Sequence, residues 1–296
     1  MEIVGLENVF FDGLGVNIKI PDDDYSSIFK EFCVELSNFL GFAPTSEGKS
    51  HKNYSNALIW DNDIFKIFLN YGGSNSKMGA FLEVKGYDGC NKIADFFNGL
   101  DVWRWTLTRA DLTLDYLGGK PTFSYLDNLI MQFASDKNIT HVNTQGDWKL
   151  EVRGRTLYVG SPNSDYKIIL YEKSEEQIID KGNKEYPEGV VRVEVRYKPN
   201  NKIRKNIKRL IPCEVLAFNR NLTDLFGRLC STAIEHVRVP KALPKSDLDK
   251  INHAVDQYYS ILSSFVADYG IKKLIKVVIK RFRVNRALRG EREAQT

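Results

Sequence analysis

The chain has 296 residues, 43% of them hydrophobic, which is enough for the core of one large domain or two moderate ones. No stretch is long and apolar enough to span a bilayer, and the N-terminal residues lack the basic start of a secretory leader. We therefore expect a cytoplasmic protein that does not enter a membrane. The four cysteines are widely spaced without a C-x-x-C pair, which argues against a disulfide framework and a zinc site.

The net charge of +4 conceals an asymmetry along the chain. From residue 201 onward there are 20 Lys and Arg against 9 Asp and Glu, a net charge of +11, whereas the preceding residues carry 22 against 29, a net charge of −7. The change follows a Pro-Asn-Asn segment. It predicts one domain over residues 1–200 and a basic accessory region with a different role over residues 201–296. The basic region suits a polyanionic partner.

Hydrophobic periodicity predicts an α+β fold for the front of the chain. In chain order, it indicates one or two strands within residues 3–20, a helix that ends at Gly41, a hairpin over residues 57–71, a strand over residues 79–86 and a helix over residues 91–99. This order is typical of a largely antiparallel sheet with flanking helices. No internal repeat is evident in the sequence.

A strand rich in β-branched and aromatic residues is predicted over residues 102–117. Alternation places Arg109, Asp111 and Asp115 on one face and Thr108 on the other. Carboxylates are ligands that Mg²⁺ and Mn²⁺ prefer, although the same face could simply form ion pairs with a neighbouring strand. Because four residues of a strand span about 13 Å, we expect Asp111 to contact a cation directly and Asp115 to act through water.

A β-hairpin is predicted over residues 154–173, around a turn of Gly, Ser, Pro and Asn. On its second strand, Lys167, Tyr171 and Lys173 share one face and Tyr166 lies on the other. A tyrosine between two lysines is suited to attack a phosphate that cations polarise. The alternative is a half-buried strand with a solvated lysine edge.

The next strand, over residues 190–197, places Arg192, Glu194 and Arg196 on one face. An acidic residue between two arginines can be a plain ion pair. After Asp111 and Asp115, Glu194 is the third carboxylate on a charged strand face, so a metal site is the alternative to an ion pair.

The end of the chain is predicted to form basic amphipathic helices. One helix runs from Ser246 to about Asp268, and a second covers residues 271–289. The second helix carries the cations expected to contact the DNA backbone: Lys272, Lys273, Lys276, Lys280, Arg281 and Arg283. A membrane surface is the competing partner for such a helix.

Four short motifs between residues 100 and 200 follow one another as Arg109-x-Asp111-x-x-x-Asp115, Leu157-Tyr158-Val159-Gly160-x-x-x-Ser164, Ile169-Leu170-Tyr171-x-Lys173 and Val191-Arg192-Val193-Glu194. In this order and spacing they resemble the Rep_trans family. These proteins are replication initiators of rolling-circle plasmids, with relatives in filamentous phages and among conjugative-element relaxases. One departure is Ile169-Leu170, where plasmid members commonly have Arg-Ile.

The resemblance implies a metal-dependent DNA nicking and closing enzyme. Tyr171 matches the family's nucleophile, and Asp111, Asp115 and Glu194 match its carboxylates. Because the sequence has no H-x-H or H-x-x-x-H pair, carboxylates must hold the Mg²⁺ or Mn²⁺, and we expect Asp111 and Glu194 to do so. Attack by Tyr171 would form a 5′-phosphotyrosine and leave a 3′-OH that primes rolling-circle replication at an origin.

The neighbours of this tyrosine have expected roles of their own. A free phenol has a pKa of about 10, so it needs activation, which the metal with Lys173 or Lys167 can supply electrostatically. Arg109 is a further catalytic candidate. Tyr158 is the alternative nucleophile, because it lies on the paired strand, whereas Tyr166 is expected on the opposite face.

Lys167, Arg192 and Arg196 are expected to contact double- and single-stranded DNA at the origin. A homodimer is the family expectation, and a host helicase is a plausible partner. Two other functions remain open: a relaxase that uses the same chemistry to start conjugative transfer, and a non-catalytic DNA-binding protein on the same fold. Divalent-metal dependence of nicking separates the enzymes from the non-catalytic protein.

Overall fold

The computed structural model describes residues 5–20, 25–49, 53–73, 79–100, 105–146, 148, 154–237 and 262–277. The chain divides into two compact units, Met1–Val239 and Pro240–Thr296. The described part of the second unit is helical over residues 262–269 and 271–277. In these ranges no helix combines the length and apolarity needed to cross a membrane.

The first unit is built on one ten-stranded sheet whose neighbouring strands are all antiparallel. The strands are β1 (Phe10–Ile18), β2 (Ser46–Lys49), β3 (Tyr54–Asp61), β4 (Lys66–Gly73), β5 (Ala80–Lys85), β6 (Trp105–Leu117), β7 (Val142–Gln145), β8 (Thr156–Val159), β9 (Tyr166–Glu172) and β10 (Val190–Tyr197). Their order across the sheet is β2-β3-β4-β5-β1-β6-β10-β9-β8-β7. The predicted α+β class with a largely antiparallel sheet is confirmed.

The helices of this unit are α1 (Tyr25–Leu40), α2 (Tyr87–Asn98), α3 (Gly119–Asp136), α4 (Lys173–Glu175), α5 (Asn201–Arg204), α6 (Pro212–Ala217) and α7 (Arg220–Leu229). Local sequence explains where the last two begin. Pro212 occupies the first turn of α6, where no backbone N–H is needed. The Asn219 side chain accepts hydrogen bonds from the first backbone amides of α7.

The core lies on the face of the sheet that the helices cover. Val191, Val193 and Val195 of β10 are fully buried there, as their alternation predicts. Helix α1 buries Phe32 and Leu36 at the other end of the sheet, each contributing about 1.5–3 kcal/mol of hydrophobic stabilisation. The opposite face of the central strands is left to polar side chains, and it is called the open face below.

The sheet contains two copies of one topology. Strand β1 is followed by α1 and the meander β2–β5, and β5 pairs back onto β1. Likewise β6 is followed by α3 and the strands β7–β10, and β10 pairs back onto β6. The two copies meet where β1 pairs antiparallel with β6. The internal repeat is therefore present in the topology, although no repeat is visible in the residues.

The structure differs from the sequence prediction at the sheet edges and at the boundary after residue 200. The edge strands β2 and β7 are only four residues long and polar, which is how native sheets protect their edges, so their sequences are typical of loops. The first compact unit extends to Val239 and includes α5, α6 and α7. The accessory role of the basic region stays a prediction.

Candidate active site

Strand pairing brings the predicted charged residues together on the open face. Along β6, β10 and β9, Asp115 lies opposite Arg192, and Arg192 lies opposite Tyr171. In the next row of outward-facing side chains, Thr113 lies opposite Glu194. In the row after that, Asp111 lies opposite Arg196, and Arg196 lies opposite Lys167. Since residues that pair directly share a face, the predicted side chains form one continuous surface.

A cavity of about 410 Å³ opens beside this surface between β8, β9, β10 and the start of β1. Tyr171, Lys173 and Glu194 line it, as do Tyr158 and Arg196 among the predicted residues. Asp12, Glu176 and Lys181 also line it, and the sequence analysis did not single them out. The cavity therefore combines two tyrosine hydroxyls with both cationic and anionic groups.

Tyr171 is half-buried, and its phenol lies close to several charges. Burial raises its pKa, the charge of Arg192 works in the opposite direction, and the charges of Glu194, Glu176 and Asp12 raise it further. The Lys173 ammonium lies 3.5 Å from the phenol oxygen. The phenol is therefore protonated at neutral pH and has a cation beside it.

The strand that carries Tyr171 is fixed from the helix-covered face by a buried ion pair. The backbone N–H of Arg155 donates to Glu172 Oε2 at 2.8 Å, and Nη2 of the Arg155 side chain donates to Glu172 Oε1 at 2.9 Å. The Arg155 guanidinium also lies 4.2 Å from the centroid of the Phe123 ring of α3. Both partners are more than nine-tenths buried, so this pair locks the residue next to Tyr171.

Lys173 is held in place by the segment that follows the tyrosine strand. Its ammonium forms an ion pair with the Glu176 carboxylate at 2.7 Å, and Lys181 forms a second ion pair with the same carboxylate at 2.8 Å. Burial alone would raise the pKa of Glu176, but the hydrogen bonds from both lysines lower it to about 2. Residues Glu176–Asp180 form a π-helical turn, a feature that often occurs at functional sites.

Asp12 lies on the open face at a β-bulge of β1. Phe11 pairs with Leu112 and Gly13 pairs with Asp111, which leaves Asp12 as the extra residue. Its carboxylate accepts a hydrogen bond from Arg192 Nη1 at 3.0 Å. Burial raises the pKa of Asp12, against the opposing charge of Arg192. A bulge could have been predicted here from the two glycines in Phe-Asp-Gly-Leu-Gly, because glycine inside a strand often marks a bulge.

A second bulge changes a predicted face on β6. Gly15 pairs with Arg109 and Val16 pairs with Leu107, so Thr108 is unpaired. Its hydroxyl donates to the Gly15 carbonyl at 2.8 Å. The prediction that Thr108 shares the core face of β6 is wrong for this reason, whereas the regular pairing from Asp111 onward preserves the faces there.

Arg192 is the centre of a buried charge network. Its Nε and Nη2 donate to the two oxygens of Asp115 at 2.6 and 2.7 Å, and its Nη1 reaches Asp12. The guanidinium lies 5.4 Å from the centroid of the Phe10 ring. Burial lowers the pKa of Arg192, but the hydrogen bonds that it donates to Asp115 raise that pKa above its ordinary value. Arg192 thus stays charged and ties the bulge of β1 to β6 and β10.

Asp111 and Glu194, the two expected metal ligands, each form an ion pair with an arginine. Arg109 donates to both oxygens of Asp111 at 2.8 and 2.5 Å, and Arg196 donates to Glu194 at 2.8 Å. Both carboxylates are more than nine-tenths buried. In the ranges that the structure describes, no three His, Cys, Asp or Glu side chains are grouped to hold a metal ion.

The donors nevertheless suit a hard divalent cation. The buried hydroxyl of Thr113 lacks a hydrogen-bond partner in the structure, and it lies on the same strand face as Asp111 and opposite Glu194. Gly13 leaves room for the Asp111 carboxylate, because a Cβ there would lie 2.5 Å from Asp111 Oδ2. Two carboxylates and an orphaned hydroxyl form an oxygen donor set of the kind that Mg²⁺ and Mn²⁺ prefer.

The rival tyrosines lie on different faces, as their strand positions predict. Tyr158 is on the open face, where its hydroxyl donates to Gln145 at 3.1 Å and Lys167 lies 4.2 Å from its ring centroid. Tyr166 is on the helix-covered face, where its hydroxyl accepts a hydrogen bond from Asn221 of α7. Tyr158 can therefore reach the cavity, whereas Tyr166 cannot.

The basic residues of the second unit are only partly described. Lys272, Lys273 and Lys276 are exposed on the helical segment over residues 271–277. Lys280, Arg281 and Arg283 lie outside the described residues. The exposed lysines are available to a polyanion.

Comparison with known proteins identifies the family. Residues 105–253 match the Rep_trans model, described as replication initiation factor, which is slightly more than half of the chain. No curated protein matches. The solved structure of a rolling circle replication initiator protein from Geobacillus stearothermophilus is similar, at 18% identity and a TM-score of 0.48 over 78% of this chain and 99% of that one. The chain belongs to the Rep_trans family of replication initiation factors, and its role is in the initiation of replication.

Proposed function

We propose that the protein starts rolling-circle replication by nicking one DNA strand at an origin, with Tyr171 as the nucleophile. One observation carries the proposal: the phenol of Tyr171 lines the same cavity as Lys173, Asp12 and Glu194. A half-buried tyrosine with a lysine 3.5 Å from its oxygen is arranged for attack on a phosphate.

The phenol must lose its proton as it attacks, because burial keeps its pKa above the ordinary value. Asp12 is the proposed acceptor, since its charge acts on Tyr171 and its own pKa is raised by burial. Lys173 stabilises the developing negative charge on the phenol oxygen. Glu176 keeps that ammonium in place, 2.7 Å from its carboxylate.

The proposed transfer replaces one phosphodiester bond by another. The Tyr171 oxygen bonds to the phosphorus, and the bond from phosphorus to the 3′ oxygen breaks. The departing oxygen takes up the proton that the acid-base group received, which gives a 3′-OH primer and a 5′-phosphotyrosine. The same steps in reverse reseal the strand, so a separate cofactor for ligation is unnecessary.

Asp111 and Glu194, with the Thr113 hydroxyl, would hold Mg²⁺ or Mn²⁺. A bound divalent cation would stabilise the negative charge of the phosphate during transfer. Its binding would free Arg109 and Arg196 from their present carboxylate partners. Both guanidinium groups would then be available to the DNA phosphates, as would Lys167 and the exposed lysines of the second unit.

The test is nicking of a supercoiled plasmid that carries the replication origin. We expect wild-type protein and Tyr158→Phe to nick it in Mg²⁺ or Mn²⁺ and to become linked to DNA, and EDTA to stop both. Tyr171→Phe should bind the plasmid without nicking or linkage, because only its nucleophilic oxygen is missing. A covalent adduct formed by Tyr171→Phe would exclude the proposed nucleophile.

A further inference from the structure

A second depression lies next to the candidate active site, at the edge of the open face. Its volume is about 780 Å³, within the usual range for ligand pockets of about 300–1,000 Å³. The walls used below come from β1, the first turns of α2, the end of β6 and β10, and they are called the edge groove: Phe10, Tyr87, Asn91, Asp115, Leu117 and Arg192.

The apolar walls of the edge groove suit a flat ring. The Phe10 and Tyr87 rings meet edge to face, with centroids 5.2 Å apart and planes at 88°. Tyr87 remains 53% exposed and Leu117 56% exposed, although both are large and apolar. Exposed aromatic and aliphatic side chains in a concave site are the usual surface on which an unpaired base stacks.

The charges of the edge groove favour a neutral ligand over a phosphate. Its one described cation, Arg192, is neutralised by Asp115 and Asp12 at hydrogen-bonding distance, and Glu7 adds an exposed carboxylate to the lining. Asn91 lies one helical turn after Tyr87, on the same side of α2. Amide and carboxylate groups beside a stacking surface match the donors and acceptors on the edge of a base.

The edge groove is joined to the Tyr171 cavity by a single ion pair. Arg192 lines the groove and Asp12 lines the cavity, and the two are 3.0 Å apart. A DNA strand whose phosphate reaches Tyr171 would therefore bring the adjacent nucleotide to the groove. We propose that the edge groove holds an unpaired base next to the scissile phosphate, an inference that rests on the proposed nicking function for its place in the reaction.

Base binding can be measured without cleavage. The probes are a fluorescent oligothymidylate and an abasic strand of the same length, because both present the same phosphates but only one presents bases. We expect wild-type protein to bind the oligothymidylate about tenfold more tightly, the size of one base–aromatic stack. Tyr87→Ala should lose most of that ratio while keeping its affinity for the abasic strand.

Matched variants separate recognition from folding. Tyr125 is an equally exposed tyrosine on α3, so Tyr125→Ala should behave as wild type. Tyr87→Phe should keep the ratio because the ring remains, and Leu117→Ser should lower it. An unchanged ratio in both Tyr87→Ala and Leu117→Ser overturns the base site.

The proposed nicking function can fail independently of this site. Nicking is measured with Tyr171→Phe on the plasmid, and base binding is measured with Tyr87→Ala on the two probes, so the two proposals have separate readouts. If the plasmid is not nicked but the binding ratio depends on Tyr87, the nicking proposal falls and the base site stands. If nicking depends on Tyr171 but the ratio is independent of Tyr87 and Leu117, only the base site falls.

Discussion

The two topological halves of the sheet carry different side chains at equivalent positions. Aligning β1 with β6 so that Gly13 matches Asp111 also matches Gly15 with Thr113. Their outer partners are Glu83 on β5 and Glu194 on β10, so the glutamate is present in both halves. The same scaffold therefore places an acid at the same point twice.

The chemistry diverges in the row beyond these glutamates. Counting along the paired strands, Phe81 is equivalent to Arg192, and Asn70 is equivalent to Tyr171. Asn70 is fully buried and donates to the Phe81 carbonyl at 3.1 Å, which is a structural contact. The comparison teaches that the fold supplies positions, and that the residues proposed for the transfer lie in the β6–β10 half, with Asp12 contributed from β1.

The largest difference in nicking rate between the two halves is expected when the equivalent glutamates, Glu194 and Glu83, are substituted. Glu194→Gln removes a proposed cation ligand, so we expect nicking to fall by at least about a hundredfold, because even the loss of a group that orients a metal ligand costs about 10–100-fold. Glu83→Gln makes the same change in the other half, where Glu83 lies 3.9 Å from Arg109, and should leave nicking nearly unchanged. Initial rates on supercoiled plasmid measure both. Equal losses would break the distinction between the halves.

A smaller effect is expected at Asp12, which the β1–β5 half contributes to the lining of the cavity. Asp12→Asn removes the proposed proton acceptor, and we expect the rate of DNA linkage at neutral pH to fall about tenfold, below the usual range for acid-base groups of about 10²–10⁴ because solvent can substitute. Because the pKa of Tyr171 is raised, the phenol stays protonated in the usual pH range, so the variant must pass this proton to hydroxide and its rate should rise with pH. A pH profile parallel to that of wild type would argue for a purely structural Asp12.

The smallest effect concerns stability at Glu176. The pKa of Glu176 in the folded protein is about 2, below the ordinary value of 4.5. Its ion pairs therefore stabilise the fold fully at a pH above 4.5, and this stabilisation is lost as the pH falls towards 2. Glu176→Gln should therefore lower the free energy of unfolding at neutral pH by at most about 1 kcal/mol, since the pair is partly solvated. Denaturant unfolding checks this. A deficit that persists near pH 2 would contradict the electrostatic account.

Much of this fold could be predicted from the sequence, because alternation and helical spacing are local signals. The faces of β9 and β10, and hence the shared face of Tyr171 and Glu194, follow from a period of two. Asp12 and Thr108 could not be assigned, because a β-bulge depends on pairing with a distant strand. The ion pairs on Asp111 and Asp115 were open alternatives. The register explains why Asp115 meets Arg192, whereas Asp111 pairs with Arg109 of its own strand rather than with its cross-strand neighbour Arg196.

The central claim is that one oxygen, that of Tyr171, becomes joined to DNA. The most direct measurement is mass spectrometry of the peptide that remains attached to DNA after nicking and proteolysis. The account predicts a nucleotide adduct on Tyr171 in wild-type protein, unchanged in Tyr158→Phe. An adduct on Tyr158, or on any residue outside the cavity that Tyr171 shares with Asp12 and Glu194, would contradict it.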